Sequence, residues 1–85
     1  MKTIWKYPLR MEDEQTVKMP IGAEIISVLL QRDILVLYAM VDSDAPLVSG
    51  KVYIRGTGHP LNMVDVRHVG SVAMLDRDLV WHVFV

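Results

Sequence analysis

Two glycines, a hydroxyl and an imidazole stand within five residues at Gly56-Thr57-Gly58-His59-Pro60, directly after the guanidinium of Arg55. Glycines let backbone amides converge, and converging amides beside a cation can cradle a phosphate or a carboxylate. A ring such as Trp5 or Tyr53 would add a stacking surface. Arg55, Gly56, Thr57, Gly58, His59, Trp5 and Tyr53 are therefore the candidate ligand-binding set, suited to a small nucleotide. The pentapeptide is neither a dinucleotide fingerprint nor a P-loop, since it has no third glycine at the right spacing and no Gly-Lys-Ser/Thr ending. The same residues also make an ordinary irregular strand exit, in which glycine supplies positive φ and proline stops the sheet.

Other chemistries find less support. His59, His68 and His82 form no His-x-His or Glu-x-x-His pattern, so no metal site is expected. Ser71 can be drawn with His68 or His82 and with Asp65, Asp76 or Asp78, but any chain of this composition permits such a triad. A Gly-x-Ser-x-Gly elbow is missing. Asp42-Ser43-Asp44 opens like a calcium loop without its glycine at the sixth position or its glutamate at the twelfth, and Asx-turn chemistry accounts for it. Glu12-Asp13-Glu14 reads as a solvated connection. There is no cysteine, hence neither a disulfide framework nor a thiolate zinc site. The expectation is a protein that is not an enzyme and uses no cofactor.

The elements that must position these residues are strands. Lys2 to Tyr7 alternate, with Ile4 among lysines on one side and Thr3, Trp5 and Tyr7 on the other. Gln15 to Met19 is a short β-branched run closed by Pro20, and Pro20-Ile21-Gly22 is turn chemistry. Ala23 to Gln31 and Ile34 to Val41 are apolar runs separated by Arg32-Asp33, which predicts a hairpin. Ile34 to Val41 has no polar residue between its ends, the pattern of a central strand covered on both faces. In Lys51 to Arg55, alternation points Val52 and Ile54 inward. Leu61 to Asp65 is a loop or one turn of helix. Val66 to Leu75 and Leu79 to Val85 form a second hairpin across Asp76-Arg77-Asp78, with His82 alternating with Trp81 and His68 facing solvent. The prediction is all-β: one small domain over residues 1–85, a barrel or two-sheet sandwich of about seven short, mostly antiparallel strands.

Most aromatic rings belong in the core or in cross-strand pairs of such a domain, but Trp5 and Tyr7 would make a stacking patch if they shared a face with Tyr53. An exposed edge at Val83-Phe84-Val85 is expected to add to a partner strand or to a second copy.

The chain has 85 residues, 52% of them apolar, enough for a single core without staples. Nine basic against ten acidic residues lack the electrostatic footprint of a general nucleic-acid binder and leave homo-oligomerisation electrostatically unopposed. Neither a signal-peptide apolar region nor a membrane-spanning apolar run is seen, so the expected location is the cytoplasm.

Five segments carry a resemblance: Lys2-Thr3-Ile4-Trp5-Lys6-Tyr7, Pro20-Ile21-Gly22-Ala23, Val41-Asp42-Ser43-Asp44-Ala45-Pro46, Gly56-Thr57-Gly58-His59-Pro60 and Leu79-Val80-Trp81-His82-Val83-Phe84. Over essentially its full length the chain resembles a family of small uncharacterised bacteriophage and prophage proteins, a domain of unknown function. It departs from the family habit at Arg32-Asp33, where a glycine-containing turn would be expected. The resemblance implies a phage origin, an accessory role and the host bacterial cytoplasm, and supplies no catalytic residues. The leading expectation is an accessory binding protein that inhibits a bacterial defence factor through protein contact. The alternatives are a protein that sequesters a nucleotide signal and a minor virion or assembly component.

Overall fold

The computed structural model describes residues 1–74 and 78–85. Alternation becomes seven strands: β1 (Lys2–Pro8), β2 (Glu14–Pro20), β3 (Glu24–Gln31), β4 (Ile34–Asp42), β5 (Leu47–Gly56), β6 (His68–Ala73) and β7 (Val80–Phe84). All pairs are antiparallel. They form a three-stranded sheet, β1-β4-β3, facing a four-stranded sheet, β2-β5-β7-β6. The result is an open sandwich, not a closed barrel. Leu61 to Asp65 is irregular, without a helical turn. Among the described residues no helix is long and apolar enough to cross a membrane.

The core follows from the period-2 geometry of a strand. On β4, Leu35, Leu37, Ala39 and Val41 point between the sheets and are buried. Val52 and Ile54 of β5 and Val83 of β7 close the layer from the other sheet, with Val28, Leu9 and Met19 around them. Gly70 marks a close approach of the layers, for a Cβ there would lie 3.0 Å from Val28 Cγ1.

Three expectations need correction. The apolar run of β4 is covered fully on one face and only in part on the other: Val36 is buried there, but Ile34 and Met40, on the same outer face, are 48% and 43% exposed. An unbroken apolar run does not reveal whether a second layer exists. Val83-Phe84-Val85 is not an edge, because β7 lies between β5 and β6. The Val85 amide donates to the Arg67 carbonyl and its carbonyl accepts from the Arg67 amide, at 3.0 and 2.7 Å. Finally, Trp5 and Tyr7 do not share a face with Tyr53. Opposite Ala39 and Leu37, they lie on the inner side of β1, whereas Tyr53 sits between inward-facing Val52 and Ile54 and so points outward on the other sheet. The Tyr7 hydroxyl is buried without a partner among the described residues, and burial raises its pKa above the ordinary value.

The first hairpin forms as expected, β3 onto β4, and its turn explains how a sequence without glycine manages it. Arg32 and Asp33 have φ of 49° and 65°, the left-handed pair that a two-residue type I′ turn requires. A shift in pairing between Ile25 and Ser27 bulges β3 and leaves Ile26 outside. The second hairpin also forms, β6 with β7, but Leu75, Asp76 and Arg77 of its turn lie outside the described residues. Because each L-residue held left-handed costs about 1 kcal/mol, Arg32→Asn combined with Asp33→Gly should stabilise the fold by about 1 kcal/mol in urea denaturation. A loss of stability would show that this turn is not type I′.

Candidate functional site

The Gly56–Pro60 loop leaves the end of β5 and folds back on itself. The Gly56 amide donates to His59 Nδ1 at 3.0 Å, and the His59 amide donates to the Gly56 carbonyl at 3.0 Å. Gly58 supplies the left-handed step, with φ of 90°. The imidazole lies so close to Gly56 that a Cβ there would stand 2.8 Å from His59 Cε1. On its other side the ring meets Trp81 edge-on, centroids 6.1 Å apart.

Beneath the loop, Arg55 is buried and four of its five N–H donors are engaged. Nη1 donates to the carbonyls of Asp13 and Ile54 at 2.6 and 3.0 Å, Nε to the Pro60 carbonyl at 3.2 Å, and Nη2 to Asn62 Oδ1 at 2.9 Å. One guanidinium thereby ties the loop to its own strand and to the segment before β2. The loop amides are similarly occupied, since Thr57 N donates to the Val80 carbonyl. Gly56, Thr57 and His59 thus direct their N–H groups into the protein, not toward a common external point.

From the loop runs a chain of hydrogen bonds that crosses β7 to β6. Thr57 Oγ1 is 2.8 Å from His82 Nε2, Ser71 Oγ is 2.6 Å from His82 Nδ1, and His68 Nε2 is 3.1 Å from Ser71 Oγ. The register explains it: Arg55 and Ser71 flank His82 on either side of β7. The ring of His68 also packs against Phe84, centroids 5.3 Å apart. A neutral imidazole offers one donor and one acceptor, so the chain Thr57–His82–Ser71–His68 can run in either direction, and shifting its protons reverses it. Among the described residues no carboxylate hydrogen-bonds to His82, so the Ser71–His82 pair has no charged group to orient it as a nucleophile and base. Nor does any cluster of three or more metal-ligating side chains occur among them.

A depression of about 270 Å³ lies against this chain, walled by Thr57, His59, Leu61, His82 and Phe84. Of the residues singled out from sequence, Arg55, Gly56, Thr57, Gly58 and His59 meet here. Tyr53 is next to them, its ring 5.9 Å from Arg55 Cζ. Trp5 is not brought in, since it belongs to the opposite sheet. Phe84 joins the site from the outer face of β7, while Val83 is in the core. Ser71 with His82 is among the pairs the sequence allows, and it is the hairpin register, which composition does not give, that brings them together.

A family model described as domain of unknown function DUF7352 matches residues 1–85, and the chain belongs to that family. No curated protein and no solved structure matches it.

Arg55→Met keeps the bulk of the side chain but strips the donors from four acceptors. It should lower stability by about 2–4 kcal/mol and speed amide exchange through residues 56–62. Wild-type stability and exchange would mean that the guanidinium does not organise the loop.

Proposed function

We propose that this member of the family is a non-catalytic accessory protein that binds a protein partner through the outer face of the three-stranded sheet. The composition of that face carries the reading. Register places Ile34, Val36, Tyr38 and Met40 of β4 in one outward row, of which Val36 is buried and Ile34 and Met40 are exposed, with Ile4 of β1 opposite Met40 and Leu29 of β3 opposite Val36. Ile4 and Leu29 are 55% and 52% exposed. Strand spacing and rise make the face about 14 Å wide and about 24 Å long, a few hundred Å² of mostly apolar surface. Apolar patches of that extent on small domains serve as contact surfaces, with the burial of aliphatic and aromatic side chains at their centre supplying most of the affinity. Lys2 and Lys6 border the face along β1, and Glu24 and Gln31 border it along β3, so both signs of charge are available at the rim.

The phage resemblance supplies the context: the partner is a host protein, and a defence factor is the target an accessory phage protein would inhibit. Sequestering a nucleotide draws less from the geometry, because four of the five N–H donors of Arg55 are taken by the protein and Trp5 lies on the other sheet.

Leu29→Glu combined with Met40→Glu changes only exposed positions. The pair should leave the melting temperature within a few degrees of wild type. It should lower capture of the host partner from infected lysate at least tenfold by quantitative mass spectrometry. Undiminished capture would overturn the reading. So would light scattering that found a wild-type dimer and a monomeric variant, since the face would then be covered by a second copy.

A further inference from the structure

A cavity wider than the depression beside the loop is at neither of these places. It opens at the end of the sandwich where the chain crosses from β2 to β3, a cleft of about 620 Å³ between the sheets. Met19 of β2 and Val48, Gly50 and Val52 of β5 line one wall, Ala23 and Ile25 the other, and Val85 the back. The wall is graded: Val48 is 43% exposed at the rim, while Val52 is 1% exposed at the base. The space exists because β5 carries no side chain between those two valines on its inner face. At Gly50 even a Cβ would be 3.8 Å from its nearest neighbour, the Val17 carbonyl.

One cation spans the mouth. The two-way backbone pairing of Arg67 with Val85 sets its side chain on the cleft side of the four-stranded sheet. From there Nη2 reaches across to donate to the Ile25 carbonyl of the other sheet at 3.3 Å. Among the described residues that long bond is the only one the guanidinium makes, which leaves four N–H donors at the entrance. The other cation of the rim, Lys51, is paired with Glu14, whose carboxylate raises the pKa of the ammonium. Glu24 borders the mouth from β3, but its register opposite Met40 puts it on the outer side of that strand.

We propose that this cleft is a binding site for a small apolar carboxylate, with the acid group on Arg67 and the hydrocarbon between Met19, Ile25, Val48 and Val52. A mostly apolar cleft of several hundred Å³ with a few polar groups at its mouth is the usual form of a small-molecule site. The planar fork of arginine matches a carboxylate through two parallel hydrogen bonds. The site is independent of the outer face of β1-β4-β3, so either can fail without the other.

Octanoate and its uncharged counterpart 1-octanol are the probes, titrated into the 15N-labelled full chain. Octanoate should give saturable amide shifts at Ala23, Gly50 and Arg67, and octanol should bind at least fivefold more weakly. Arg67→Gln should abolish that difference. Gly50→Val, whose Cβ meets only ordinary van der Waals contact, should keep the fold and weaken both ligands at least tenfold. Equal affinity for acid and alcohol, shifts confined to the Leu29 and Met40 surface, or full affinity in a folded Gly50→Val variant would each overturn the proposal.

Discussion

The contact between the inner row of β4 and the facing strands of the other sheet holds this domain together. Leu35, Leu37, Ala39 and Val41 are at most 2% exposed, and so are Val52, Ile54 and Val83 across from them. β1 and β3 reach the sandwich by hydrogen-bonding to the two sides of β4, so the three-stranded sheet has no existence without that strand. In a chain of 85 residues there is no second core to compensate, and burial of these few aliphatic side chains must offset most of the chain entropy. The local choices agree with it. Gly70 lets β6 approach Val28 closely, and the left-handed Arg32-Asp33 turn accepts local strain so that β3 meets β4 in register.

Once the inner row is committed to the core, the outer row of the same strand is left partly uncovered: Val36 is buried, but Ile34 and Met40 are exposed. It is nevertheless apolar, and that mismatch supports the partner-binding reading better than any motif in the chain. The Gly56–Pro60 loop, which looks most like chemistry, works mainly on its own structure: Arg55 holds the loop from below and His59 closes it from above. The hydrogen-bonded chain through His82 beside it stays partly open to solvent, next to a shallow depression of small volume.

Much of the fold could be read from the sequence because strand alternation is a local signal. Lys2 to Tyr7 and Lys51 to Arg55 point their side chains as alternation requires, and the hairpin across Arg32-Asp33 forms despite its unusual turn. Strand order was not legible, for it depends on pairings between segments far apart in the chain. That is why Val83-Phe84-Val85 was expected at an edge and lies instead in the middle of a sheet. An apolar run such as Ile34 to Val41 likewise says that one face is buried without saying whether the other is. The candidate site was half legible. Gly56 to His59 could be found by composition, but the engagement of the Arg55 donors and the meeting of Ser71 with His82 needed coordinates. Gly50 was invisible as the cause of a cleft, since a glycine in a strand looks the same whether a neighbour fills its space or nothing does.

The position of β7 also governs when the protein can fold. It is the seventh strand in chain order but lies between the fifth and sixth in space. While the chain emerges from a ribosome, β5 and β6 have no strand between them, and Val52 and Ile54 lack the Val83 side chain that joins them in the core. The four-stranded sheet is therefore completed in one late step, after β7 leaves the exit tunnel. Until then the unpaired borders of β5 and β6 are open to other nascent chains.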